Sequence, residues 1–150
     1  MKKLYKLDKL SVLGIILISI LMTVIEMIVS DPNVSQMPQM GKWLKLLLYV
    51  IGAVVSFAIG YWLFTLLLRN NDNYKVKLVI NLAIGLAIEA VLITIIYLIA
   101  KKTNVWVNGI AGVLGFGTLA LLNWKFLEVP QSDKIKVSVL TGIWFVLALF

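Results

Sequence analysis

One carboxylate sits where a carboxylate is costly, and a second lies nearer a helix end. Glu89 lies at the midpoint of the apolar run NLAIGLAIEAVLITIIYLIA, residues 81–100, and Glu26 lies near the end of an earlier run, LSVLGIILISILMTVIEMIVS, residues 10–30. A charged side chain at the centre of a membrane helix costs about 2.5–3.5 kcal/mol on insertion scales, so an ionisable residue at that depth is a functional hypothesis by default. A proton, a partner or a water-filled cavity must offset the cost for Glu89. Three readings stand side by side: a structural acid, a contact with another protein's helix, and a transport or ligand site. Glu26 reads as an interfacial carboxylate that reaches headgroups or water by snorkelling.

The chemistry open to these acids is narrow. The chain contains no His and no Cys. The usual general base near neutral pH is missing, and so are disulfides, thiolate nucleophiles and Cys-ligated metal sites. By helix rise, Glu26 and Glu89 differ in depth by about 10 Å or more, which makes a poor acid dyad unless the helices slide. No Ser stands beside a credible base, and no phosphate loop or dinucleotide motif is present. An enzyme is not expected, nor is a cofactor or a metal.

Spacing gives Glu89 its company. Asn81, Gly85 and Glu89 recur every fourth residue and share one helical face, while Ala83, Ala87, Ala90 and Thr94 occupy the other. This helix therefore reads as the central, doubly buried element. In the next run, NGIAGVLGFGTLALLNWKF, residues Asn108, Gly112, Gly115 and Asn123 fall in one stripe. An antiparallel hairpin turning near residues 102–103 pairs positions summing to about 205. Asn81 then lies level with Asn123, and Glu89 level with Gly115, Phe116 and Gly117. The intramembrane polar site expected from this register is Glu89, Asn81, Asn123 and Asn108. Gly85, Gly112 and Gly115 are expected to let the two backbones approach. Gly52, Ser56 and Gly60 form a further small-residue series, suited to packing within the chain or to a homodimer.

The elements that must position these residues follow from composition. The 150 residues are 61% hydrophobic and 14% charged, with mean hydropathy +1.00, whereas a soluble domain is about half apolar and a quarter charged. The expected fold class is an all-α integral membrane protein. It is a single polytopic domain over residues 1–150 with about five transmembrane helices near 10–29, 43–68, 76–100, 105–126 and 136–150. The first run is too long for the apolar core of a signal peptide and reads as a retained helix. Pro32, Pro38 and Pro130 mark loops, and RNNDNYK and KKTN read as short turns. The last segment, about 21 Å long from Val137 to Phe150, barely reaches across a bilayer.

Charge sets the orientation. Of 14 Lys and Arg, ten fall on the N-terminal side: Lys2, Lys3, Lys6, Lys9, Arg69, Lys75, Lys77, Lys125, Lys134 and Lys136. Four fall on the other: Lys42, Lys45, Lys101 and Lys102. The bias places the N-terminus in the cytoplasm, and it explains the net charge of +7 without nucleic acid. Trp43 and Trp62 are separated by about 28 Å along a helix, and Trp106 and Trp124 by about 27 Å. Both spacings match two membrane interfaces.

The functional expectation is a small multi-pass protein of a cell membrane, with a bacterial source suggested by high Ile, Lys and Asn usage. It acts through protein–protein contacts in the lipid bilayer, as an accessory or stabilising subunit of a membrane complex or as an immunity-type protein. Its partner is a membrane protein or a second copy of itself. The alternative is a small transporter, channel or lipid-carrier component built on Glu89, Asn81 and Asn123.

Overall fold

The computed structural model describes residues 4–71, 73–100 and 105–148, and every element among them is helical. Five α-helices follow one another: α1 Lys9–Ser30, α2 Gln39–Leu67, α3 Lys75–Ala100, α4 Val105–Phe126 and α5 Gln131–Ala148. Single 3₁₀ turns at Leu4–Lys6 and Val34–Gln36 precede α1 and α2. The expected tight turn over residues 101–104 lies outside the described residues, as do Lys2, Lys3, Lys101 and Lys102.

Two helices begin earlier than their apolar runs. α2 starts directly after Pro38 rather than at residue 43, and α5 directly after Pro130 rather than at 136. Proline pre-sets the backbone for a helix start and lacks the amide that a first turn leaves unpaired. In α5 the Pro130 carbonyl accepts the Asp133 and Lys134 amides at 3.0 and 3.1 Å, and Asp133 lies in the first turn, where a negative charge suits the helix dipole. The polar first turns carry no hydrophobic signal, so the pattern alone places both starts too late.

α3 is the axis of the bundle, packed by α1 on one side and α4 on the other; α5 lies against α4, and α2 against α1. The best-filled core lies at the end where the chain begins, around Phe64, Leu68, Tyr74, Leu78, Leu119, Leu127 and Val137. The outer surface is apolar instead: Leu10, Leu17, Leu48, Ile59, Ile110 and Leu121 are all more than half exposed or close to it. α1, α2, α3 and residues Asn108–Phe126 of α4 are each long and apolar enough to cross a membrane. α5 is not among them. Asp133, Lys134 and Lys136 occupy its first turns, leaving an apolar stretch of about 18 Å from Val137 to Ala148. Trp43, Trp62, Trp106 and Trp124 are all exposed.

The α1–α2 connection is pinned by Asp31. Its carboxylate pairs with Lys45, accepts the Tyr49 hydroxyl, and accepts the Asn33 amide at 2.9 Å. The Lys45 hydrogen bond, with those from Tyr49 and Asn33, holds the Asp31 carboxyl well below the usual aspartate range.

Candidate functional site

The α3–α4 hairpin brings its backbones together through glycine. A Cβ on Gly115 would lie 2.6 Å from Glu89 Cβ and 2.9 Å from the Gly85 carbonyl; one on Gly85 would lie 2.8 Å from Leu119 Cβ. Gly112 leaves the space that Glu89 Oε1 and the Phe145 ring use, since its Cβ would lie 3.7 Å from the first and 2.8 Å from the second. Glu89 thus rests over Gly112 and Gly115. Gly117, which the sequence register also put beside Glu89, meets nothing within 4 Å and takes no part in this groove.

At the chain-start end of the hairpin, Asn81 Nδ2 donates to Asn123 Oδ1 at 2.9 Å, and both side chains are buried. The Tyr5 hydroxyl donates to Asn81 Oδ1 at 2.7 Å, and the Tyr5 ring lies 5.3 Å from that of Phe126. These three residues clasp the N-terminal turn, α3 and α4 together.

Glu89 belongs to a different place. A cavity of about 290 Å³ is lined by Thr23, Glu26 and Met27 of α1, Ser56 of α2, Leu86, Glu89, Ala90 and Ile93 of α3, Asn108 and Phe116 of α4, and Trp144 and Ala148 of α5. Every helix contributes to its wall. Glu26 and Glu89 both line it, and among the described residues no Lys or Arg does. Trp144 is held at its side by rings 5.9 Å away on Phe64 and 6.0 Å away on Phe116. A Cβ on Gly60 would run into the Trp144 ring, so glycine is what admits it.

The expected four-residue polar site therefore divides. Glu89 and Asn108 line the acid cavity; Asn81 and Asn123 form the clasp at the far end of the hairpin and do not reach it. Glu26, expected as an interfacial carboxylate, is half-buried and lines the acid cavity, because the face of α1 that carries Thr23 and Glu26 turns toward α3. Of the small-residue series on α2, Gly60 is buried against Trp144, Ser56 borders the cavity, and Gly52 is exposed, with open space where a Cβ would stand.

Sequence reasoning also missed Tyr5 and Trp144 as positioning residues. Tyr5 precedes the first helix and has no periodicity to reveal its partner. Trp144 lies in the shortest helix, where an interfacial tryptophan and a buried one look alike.

Chemically, the cavity offers two carboxylates, one amide, two hydroxyls and two aromatic faces. It can hold protons, or a cation that the carboxylates attract and the rings flank. Among the described residues no group of three or more His, Cys, Asp and Glu is placed to hold a metal ion. In comparisons with family models, curated proteins and solved structures, the chain matches none.

Proposed function

We propose that the chain is a multi-pass protein of a cell membrane, N-terminus in the cytoplasm, and that its working part is the acid cavity. It binds an organic cation there in exchange for protons, as a small transporter or a component of one. The observation that carries this reading is the entry of Glu26 and Glu89, from two different helices, into one aromatic-walled cavity whose wall, among the described residues, holds no basic side chain. A buried carboxylate kept only for structure gains little in a membrane, where interhelical hydrogen bonds average about 0.6 kcal/mol. Two such acids facing one space need a positive species to offset them, and protons and a guest cation are the two candidates.

The cavity's size and lining favour an organic cation over a bare ion. A volume near 300 Å³ is at the lower end of small-molecule pockets, and Trp144 and Phe116 give ring faces of the kind that hold quaternary ammonium groups. The five-helix topology supports the exchange: α1, α3 and α4 supply the acids and the glycine groove, and α5 closes the wall with Trp144 without needing to span completely. The expected readout is equilibrium binding of tetraphenylphosphonium to the purified chain in neutral detergent. Wild type binds, and binding weakens as pH falls. Glu26→Gln and Glu89→Gln each lose about tenfold or more of affinity, the cost of one charged contact. Unchanged binding in both variants overturns the reading.

A second reading has its own support. An apolar groove of about 520 Å³ runs between α2 and α5, lined by Gly52, Ser56, Ile59, Leu140, Ile143 and Leu147 among others. This is the surface on which an accessory subunit or immunity-type protein would meet a partner helix. Affinity purification from native membranes in a mild detergent distinguishes the two: a stoichiometric partner supports the accessory role, and a chain that purifies alone supports the cation site.

A further inference from the structure

A second, larger cavity lies at the opposite end of the bundle, and its chemistry is the reverse of the first. It measures about 750 Å³ and forms where the N-terminal turn, the end of α2 and the start of α3 meet. Arg69, Lys75 and Lys77 line it together with the side chains of Tyr5, Tyr61 and Asn73. Among the described residues no carboxylate is in its wall. Lys77 is paired with Glu128 at 2.6 Å on the bundle's exterior, whereas neither Arg69 nor Lys75 has a carboxylate within salt-bridge distance among the described residues. Asp133 lies behind the wall, held by Lys136 at 2.8 Å and by the side-chain amide of the wall residue Asn71 at 2.7 Å.

The backbone adds to this field. The first amide of α3 seen to bond back along the chain is that of Leu78, to the Tyr74 carbonyl at 2.9 Å, so the amides of Lys75, Val76 and Lys77 have no partner of the intrahelical kind. No acidic residue occupies that first turn. Most helices balance their positive end with a carboxylate or a capping side chain. Here, among the described residues, Arg69 and Lys75 without an ion-pair partner and first-turn amides without an intrahelical one border one open space.

We propose that this cavity binds a phosphate group, carried by an anionic lipid headgroup or free in solution. Arg69 supplies the planar, bidentate donor that phosphate oxygens accept, and Lys75 supplies a point charge beside it. Tyr61 donates from the bundle side, while the Tyr5 hydroxyl, whose hydrogen goes to Asn81, lines the wall beside it. Because Tyr5 also closes the clasp on Asn81, an occupied cavity holds the N-terminal turn against α3. The lipid source rests on the membrane reading above; recognition of the phosphate group does not.

The test uses the purified full chain in neutral detergent, with the thermal-unfolding midpoint as readout. It is titrated with inorganic phosphate in one arm, and in the other reconstituted into phosphatidylcholine vesicles with or without phosphatidylglycerol. The expected result is a dose-dependent rise for wild type. The rise persists in Lys9→Gln/Lys125→Gln, which removes two charges from the same end outside the cavity. Arg69→Gln/Lys75→Gln weakens the response about tenfold or more, as for loss of charge-assisted hydrogen bonds. A rise with inorganic phosphate assigns the site to the phosphate group itself; a rise only with phosphatidylglycerol assigns it to the lipid. No response in either arm, or equal loss in the two double variants, overturns the proposal. If the Arg69/Lys75 variant does not fold, Tyr61→Phe takes its place, removing one hydroxyl without altering charge. An affinity reduced about threefold or more then supports the site, and an unchanged one overturns it.

Discussion

Gly115 and Gly117 lie on the same helix two residues apart, yet the same substitution is expected to cost stability at the first relative to the second. A methyl at position 115 would stand 2.6 Å from Glu89 Cβ, 2.9 Å from the Gly85 carbonyl and 3.2 Å from Glu89 Cα. Two of those three neighbours are backbone atoms, which cannot rotate away, so α3 and α4 must separate. A methyl at 117 meets nothing within 4 Å. Replacing a helical glycine by alanine returns about 1 kcal/mol of backbone propensity in either position. That gain is common to both variants and cancels when they are compared with each other. What remains is the steric cost at 115, about 1–3 kcal/mol for overpacking a well-filled contact. The assay is reversible unfolding of the purified chain by dodecyl sulfate in mixed micelles, followed by circular dichroism. Gly117→Ala should match or exceed wild type, and Gly115→Ala should fall below Gly117→Ala by about 1–3 kcal/mol. Two variants equal within about 0.5 kcal/mol, the scatter of independent sites, would refute the glycine contact and the hairpin register with it.

Three further outcomes are expected. With no native cysteine in the chain, Asn81→Cys/Asn123→Cys should form an intramolecular disulfide under mild oxidation, since those side chains now bond at 2.9 Å; failure with several oxidants contradicts the register. Asp31 should make stability fall with acid: its folded carboxyl titrates below the ordinary value of 3.8, so its contribution is present above that value and is lost as pH drops further below it. Asp31→Asn should flatten the unfolding midpoint over that acid range, and an unchanged pH profile would contradict the pairing with Lys45. Single cysteines placed at Asn71 and at Asn33 should label from opposite faces of sealed membranes, Asn71 from the cytoplasmic face; labelling of both from one face contradicts the proposed orientation.

Much of the α3–α4 hairpin was legible in the sequence, because it is a local antiparallel pair whose register is limited by the four residues between Ala100 and Val105 and whose face is marked by unusual residues. Asn81, Gly85 and Glu89 sit on one stripe, Gly112, Gly115 and Asn123 on the other, and counting across the turn aligns them. The acid cavity was not legible. It depends on how α1, α2 and α5 rotate and tilt against that hairpin, and residues such as Thr23, Glu26, Ser56 and Trp144 carry no mark of which neighbour they will meet. Helix packing angles arise from many small contacts, and a shift of one turn moves a carboxylate by about 5 Å. The charged first turn of α5 and the polar start of α2 escaped for a simpler reason: hydrophobic periodicity reports where a helix is apolar, and Pro38 and Pro130 report where it begins. The basic cavity escaped because Arg69, Lys75 and Lys77 were read as orientation signals, and a count of charges does not show that three of them face one space.

The acid cavity as a cation site is tested most directly by flux. The chain is reconstituted into sealed vesicles with an inside-acid pH gradient, and uptake of labelled tetraphenylphosphonium is followed for wild type, Glu26→Gln and Glu89→Gln. The account predicts gradient-dependent uptake by wild type and its loss in both variants, each still folded by circular dichroism. Uptake equal to that of empty vesicles, or undiminished in both variants, would contradict it.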